Sequence, residues 1–352
     1  MSRLRWLLAA ASFLAAIIAS GLVVRATWPG ADGTLALPPM ALALGAAGFL
    51  AELCTRALKI QLSARAVGVP LRFGAALRTC LGGDFGAAIT PARSGAEPAR
   101  FLVLAEARVP AAGALLVLFL ELLLELCSLV VVVAALAWVF RDAGPALGAV
   151  TGLLGGYATF VLGVGAAGVL LARHAAAGPP PRWARRVGLR AGRWRAVQRA
   201  LRALRTSVAG ARRAHPLLLA GALAASVAHV LARAAILPAL VAGAGLLEPS
   251  RAALAPLVLW PLALQYGGVV VPVPSGGGVI EAAFAATLRG AIPASIFGAA
   301  LVWWRVWTFH AYVVLGALAA GRTVLRALRG EGAHPAPLAA ASPSASHPAP
   351  AR

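Results

Sequence analysis

The sequence predicts an all-α fold: a polytopic integral membrane bundle of about six full spans plus two re-entrant broken-helix hairpins, arranged as an inverted repeat. Three observations predict it. Of the 352 residues 61% are hydrophobic and only 12% are charged, against about 25% charged in soluble globular domains. Six apolar runs are long enough to cross a bilayer, whose hydrocarbon core takes about 20 residues of helix. Two further apolar stretches are interrupted by Gly and Pro at corresponding places in the two halves.

The six runs lie near 4–24, 38–58, 111–140, 147–171, 216–243 and 295–320. The first begins with Arg3 and Arg5 and imitates a signal peptide, but its apolar run is long for one, so it reads as an uncleaved first helix. The interrupted stretches, 73–108 and 252–290, break at Thr90-Pro91-Ala92-Arg93-Ser94-Gly95 and at Pro272-Val273-Pro274-Ser275-Gly276-Gly277-Gly278. Proline removes a backbone donor and glycine removes the helix preference, so each stretch is expected to turn rather than to continue.

Charge orients these elements. The chain has 32 basic residues, all arginine except Lys59, against 11 acids, for a net charge of +21. The basic clusters are Arg3/Arg5, then Arg56/Lys59/Arg65/Arg72/Arg78, then 173–213, then Arg322/Arg326/Arg329; the loops around Asp32, Asp142 and Glu248 are poor in arginine. Arginine-rich short loops stay in the cytoplasm. If the six runs cross and both interrupted stretches re-enter on their own side, every basic cluster and both termini are cytoplasmic. An eight-crossing arrangement, with full hairpins at both breaks, predicts the same sides.

In the six-crossing arrangement the elements from 38 to 140 run opposite to those from 216 to 320. Paired Gly/Pro-interrupted segments in two inverted halves point to a transport site at the membrane midplane. The breaks themselves are alike: Pro91-x3-Gly95-x-Glu97 against Pro274-x3-Gly278-x2-Glu281. Residues 1–329 therefore form one transmembrane domain, including a basic cytoplasmic segment at 173–215. Between 173 and 213 stand twelve arginines and no acid, with Trp194, Val197, Leu201, Leu204 and Val208 at spacings of three and four. This is the pattern of an amphipathic helix, and its segment 182–213 is expected on the anionic inner leaflet, where each basic side chain adds about 1 kcal/mol; the alternative is a solvated linker helix. Nucleic acid is not an expected partner, because no recognition motif accompanies the charge. Residues 330–352, rich in Ala, Pro, Ser and His, read as a disordered tail.

A charge at the centre of a membrane helix costs about 2.5 to 3.5 kcal/mol on insertion scales, so each needs a partner or a water-filled cavity. Glu52, Arg56, Asp84, Arg93, Glu97, Arg100, Glu121 and Glu125 are such residues in the first half, and His229, Arg233, Glu281, Arg305 and His310 in the second. Glu121 and Glu125 are four apart and share one helix face; Arg56, Arg93 and Arg305 are the expected partners. Static ion pairs and a substrate or proton role are both open readings of that pair.

The break at Pro274, Gly276, Gly277 and Gly278, followed by Glu281, frees backbone N–H groups and opens a helix at about Val279. A helix N-terminus favours anions, while Glu281 in the first turn also suits a capping role. At the first break Arg93 and Arg100 stand near a similar turn, and guanidinium forks bind phosphate in a bidentate way. A phosphate-bearing lipid is the ligand this chemistry fits. Enzyme signatures are missing: there is no Gly-x-Ser-x-Gly elbow, HExxH helix, DxxD cluster or Walker loop. The chain is therefore expected not to be an enzyme and to need no cofactor. Cys54, Cys80 and Cys127 have no CxxC or metal-ligand spacing and read as buried free thiols.

Two motifs carry a family resemblance. Pro91-Ala92-Arg93-Ser94-Gly95-Ala96-Glu97 with Arg100 resembles the Pro-x-Arg-x-Gly-Glu-x-x-Arg region of the transmembrane, flippase-like domain of lysylphosphatidylglycerol synthases. Pro274-Ser275-Gly276-Gly277-Gly278-Val279-Ile280-Glu281 resembles that family's Pro-Gly-Gly-x-Gly-x-x-Glu signature. Glu121-Leu-Leu-Leu-Glu125 is similar to a Glu-Arg-x-x-Asp run, and Arg305 and Gly316 fall where the last span of family members has Arg and Gly. The resemblance covers roughly 4–325. Ser275 stands in place of the signature's first Gly, Leu122 in place of a frequent Arg, and Glu97 one position late. No aminoacyl transferase domain follows the last span, so lysine transfer to lipid is not expected of this chain by itself.

The resemblance implies an inner-membrane protein that moves or handles an anionic phospholipid or a polyprenyl-phosphate-linked lipid between leaflets. Its head-group site would comprise Arg93, Gly95, Glu97, Arg100, Glu121, Glu125, Pro274, Gly276, Gly277, Gly278, Glu281 and Arg305. The alternative is a non-transporting accessory protein that presents a lipid-linked precursor to a separate transferase. The expected partners are membrane lipids, with a second copy of the chain or that transferase as the protein partner.

Overall fold

The computed structural model describes residues 36–90, 93–142, 144–174, 213–267 and 277–329, with isolated positions between 18 and 25 and between 194 and 211. The predicted span at 4–24, most of the basic segment, the tail from 330, and Pro91, Pro274 and Gly276 lie outside the described residues.

All described regular structure is helical. Helix α1 (Pro39–Ala66) is followed by α2 (Phe73–Ala88), α3 (Ala96–Glu106), α4 (Ala111–Val139) and α5 (Pro145–His174). The second half contains α6 (Pro216–Gly243), α7 (Arg251–Gly267), α8 (Val279–Leu288) and α9 (Phe297–Arg305); a π turn (Val306–His310) then leads into α10 (Ala311–Arg329). Among the described residues four helices, Pro39–Ala66, Ala111–Val139, Pro216–Gly243 and Phe297–Arg326, are long and apolar enough to cross a membrane. The expected span at 147–171 lies within the single 30-residue helix α5.

The two halves share a sequence of lengths. Helix α1 has 28 residues and α6 has 28; the broken stretches are 16 and 11 residues in α2 and α3, and 17 and 10 in α7 and α8. Pro39 and Pro216 stand at the starts of α1 and α6, where a missing N–H costs nothing. The most extensive helix pairing joins α1 to α6, and small residues allow it: a side chain at Gly243 would collide with the backbone of Ala41. One apolar core gathers Ile236, Leu240, Leu257, Phe284, Phe297 and Trp304 from the second half. A second gathers Phe49, Ile60, Leu104 and Val117 from the first half together with Tyr312.

The hairpin α2–α3 is closed by two glycines set back to back. A side chain on Gly86 would meet the Gly95 carbonyl oxygen at 2.5 Å, and one on Gly95 would meet that of Gly86 at 2.6 Å. Thr90 completes the turn by accepting the Gly95 N–H at 2.8 Å. At its outer end Arg78 and the Thr323 hydroxyl both donate to Glu106, tying α2, α3 and α10 together.

Two expectations need correction. Lys59 is grouped by sequence with loop charges on the cytoplasmic side, but α1 continues to Ala66 and buries it completely, together with Arg56, whose burial agrees with its expected place among the charges inside a membrane helix. Of the three cysteines, all free, only Cys80 is buried, and Cys54 is exposed on the outward side of α1.

Gly316 packs its backbone on α2, where an added side chain would strike the Leu81 carbonyl oxygen and approach Phe85 Cβ to 2.9 Å. Because backbone atoms cannot move aside, Gly316→Ala is expected to destabilise the protein by about 1–3 kcal/mol. Thermal unfolding in mild detergent measures this, with Gly74→Ala, which faces open space, leaving the midpoint unchanged.

Candidate functional site

The site is organised by one face of α1. Glu52, Arg56 and Lys59 recur at intervals of four and three, so they stack along a single side of the helix, and all three are buried. No apolar environment tolerates such groups unpaired, and partners arrive from four other helices. Arg56 grips Asp84 of α2 with both terminal nitrogens, Nη1 to Oδ1 at 3.1 Å and Nη2 to Oδ2. Glu52 receives Arg233 of α6 on Oε1 and the Tyr312 hydroxyl of α10 on Oε2. The guanidinium of Arg56 also lies over the Tyr312 ring, 4.9 Å from its centroid.

One turn along, Lys59 Nζ sits between the two acids of α4, 3.0 Å from Glu121 Oε1 and 2.6 Å from Glu125 Oε2. Arg100 of α3 donates to Glu121 at 2.5 Å and to the more exposed Glu97 at 3.1 Å. Glu125 in turn accepts the Tyr266 hydroxyl of α7 at 2.7 Å and has His229 Nε2 of α6 at 3.2 Å. Glycine makes this possible at Gly83, where a side chain would meet Arg100 Nε at 2.5 Å. Beside it, Ser128 and Ser226 hydrogen-bond across α4 and α6 at 2.9 Å.

A third pair stands at the second break. Gly278, with φ +81°, turns the chain into α8, a conformation glycine adopts without strain. Glu281 in the first turn accepts the Gly278 N–H on Oε2 at 2.8 Å, the reach-back of a capping carboxylate. Its other oxygen lies 2.7 Å from Arg305 Nε, and Arg305 covers the Phe309 ring at 4.7 Å. Glu281 therefore caps its own helix and holds Arg305 at once.

These pairs border a cleft of about 690 Å³, counted to its mouth and lined by Asp84, Arg93, Arg233, Gln265, Arg305, Thr308, Phe309 and Tyr312 with neighbouring apolar residues. Arg93 enters it from the turn between α2 and α3. It is exposed, has a left-handed backbone with φ +57°, and makes no hydrogen bond or ion pair among the described residues. Arg56, Arg233 and Arg305 are each bonded to a carboxylate. A non-glycine residue in the left-handed region costs about 1–2 kcal/mol, and such strain collects at functional sites.

Of the residues expected from sequence, Arg93 and Arg305 line the cleft and Glu281 bonds to Arg305. Glu97, Arg100, Glu121 and Glu125 form the separate network around Lys59. Gly95 serves the packing of the α2–α3 turn, and Gly277 and Gly278 are buried at the start of α8. The expected partners of Glu121 and Glu125 are replaced: Lys59, Arg100, His229 and Tyr266 take the places assigned to Arg56, Arg93 and Arg305. Asp84, Arg233, Gln265, Thr308 and Tyr312 also belong to the site, and the Glu52-x3-Arg56-x2-Lys59 spacing was the signal for its organising face.

The family comparison covers most of the chain: residues 4–316 match the family model described as "Lysylphosphatidylglycerol synthase TM region". No curated protein matches the chain.

Removing one member of a buried ion network leaves its partners uncompensated, at a cost of about 3–5 kcal/mol. Lys59→Met is accordingly expected to lower the unfolding midpoint in detergent sharply. Adding Glu125→Gln to it should recover part of the loss, because Glu121 retains Arg100 while the carboxylate left without a cation is gone.

Proposed function

Since the chain belongs to the lysylphosphatidylglycerol synthase TM region family, we propose that this α-helical, multi-pass membrane protein moves an anionic phospholipid or a polyprenyl-phosphate-linked lipid between leaflets. The observation that carries this reading is Arg93: a charged side chain at the wall of a cleft with no carboxylate of its own. A lipid phosphate supplies the missing charge. Gln265 and Thr308 offer polar groups nearby, and the apolar remainder of the wall suits the part of the lipid beside its head group.

The matched lengths of α1–α4 and α6–α10 support an inverted repeat in which α2–α3 and α7–α8 are re-entrant hairpins meeting at this cleft. Half-helices that end near a midplane site are the usual way for a transporter to present backbone to a substrate, and irregular backbone at that depth needs protein or water around it. The arginine distribution supports a bacterial cytoplasmic membrane with both termini inside. No chemical conversion is assigned to the protein; movement would follow the lipid gradient, the membrane potential or protons.

Lipid that co-purifies in mild detergent, identified by mass spectrometry, tests the site. Arg93→Gln should reduce the bound anionic lipid about tenfold or more, the scale of one charge-assisted hydrogen bond. Arg93→Gly should lose the lipid equally yet unfold at an equal or higher temperature, because glycine relieves the left-handed strain. Wild-type protein that carries only bulk lipid would overturn the reading, and specific binding without flipping in vesicles would replace transport by presentation of the lipid to another protein.

A further inference from the structure

We infer that the cleft admits phosphate head groups that carry no ammonium and rejects zwitterionic and aminoacylated ones, with Arg93 and Gln265 reading the difference. The inference rests on the proposed lipid reading and names the head-group class within it.

An ammonium is recognised in proteins by a carboxylate or by the face of an aromatic ring. Both routes are already engaged by arginines here. Asp84, the one acid lining the cleft among the described residues, has both oxygens engaged by Arg56. Behind the wall, Glu52 gives one oxygen to Arg233 and the other to Tyr312, and Glu281 gives one to Arg305 and the other to the Gly278 N–H. The two aromatic rings of the lining each already hold a guanidinium over one face: Arg56 lies over Tyr312 and Arg305 over Phe309. A further cation brought into this space would meet the three guanidiniums of Arg93, Arg233 and Arg305 and no uncompensated acid among the described residues, and like charges at such sites oppose binding.

What the cleft does offer is one unbalanced positive charge and one unsatisfied donor. Arg93 has no acid, and Gln265 Nε2 is buried without an acceptor among the described residues. A buried amide left in that state is costly, so an acceptor oxygen on the ligand is favoured there. A phosphate diester bearing hydroxyls and a polyprenyl phosphate monoester share this chemistry: anionic oxygens and no nitrogen.

The experiment is competitive binding by native mass spectrometry, using purified protein in phosphatidylcholine nanodiscs. The probes are phosphatidylglycerol, a polyprenyl phosphate, phosphatidylethanolamine and lysylphosphatidylglycerol. Either or both of the first two should bind about tenfold or more tightly than the last two, and which of them does so identifies the source as diester or monoester. Arg93→Glu should reverse the order in favour of the ammonium-bearing lipids, and Gln265→Leu should weaken the preferred lipid without making the others competitive. Equal binding of phosphatidylethanolamine or lysylphosphatidylglycerol, or a preference unchanged in Arg93→Glu, overturns the inference while leaving lipid handling intact. Binding of none of the four above the phosphatidylcholine background overturns the lipid reading itself. Circular dichroism and unfolding midpoints of the variants separate loss of binding from loss of fold, with Arg93→Gly as the variant its backbone favours.

Discussion

Everything near the centre of this protein depends on electroneutrality in an apolar interior. One face of α1 carries Glu52, Arg56 and Lys59 into the bundle, and a charge so placed is tolerable only with its counter-charge beside it. The partners come from α2, α4, α6 and α10, with α3 and α7 joined through Glu121 and Glu125, so the packing of those helices is specified by where charges must meet. Apolar contacts alone would allow the helices to slide or rotate against one another with little penalty, since leucine packs on leucine in many registers. A bidentate Arg56–Asp84 pair or a lysine between two acids permits one arrangement.

The same neutrality makes the exception informative. With Asp84, Glu52 and Glu281 each committed to an arginine, the wall of the cleft is fully compensated except at Arg93, and that residue also holds an unfavourable backbone conformation. Sequences that place strain and unbalanced charge at one position depart from local consistency there, and such departures gather where a protein meets its ligand. The hairpin that presents Arg93 is closed by Gly86 against Gly95 and by the Thr90 hydroxyl.

The helices and the two breaks were legible in the sequence because they are written in local composition: apolar length gives the spans, Pro and Gly give the interruptions, and α8 opens at Val279 as its glycines require. Arg93 and the Glu281 cap were legible for the same reason, each lying inside a short motif. The partners of Glu121 and Glu125 were not, since Lys59 and His229 reach them from far along the chain and nothing local marks the pairing. Lys59 was also disguised by its neighbours, grouped with Arg65 and Arg72, which do belong to a surface. The π turn at Val306–His310 had no composition cue; it inserts a wide turn between Arg305, bonded to α8, and Tyr312, bonded to α1, a feature that reflects what each end must reach.

The burial of Lys59 has a practical side. It is the only lysine in the chain and is wholly shielded, so the folded molecule offers amine-directed reagents no side chain at all. An acylating label or an amine-to-amine cross-linker finds only the α-amino group on an intact chain, which makes that group a single addressable position for fixing which side of a membrane it occupies. Modification at residue 59 becomes a record of opening: every labelled lysine is a molecule whose central ion network had come apart, countable without any engineered reporter.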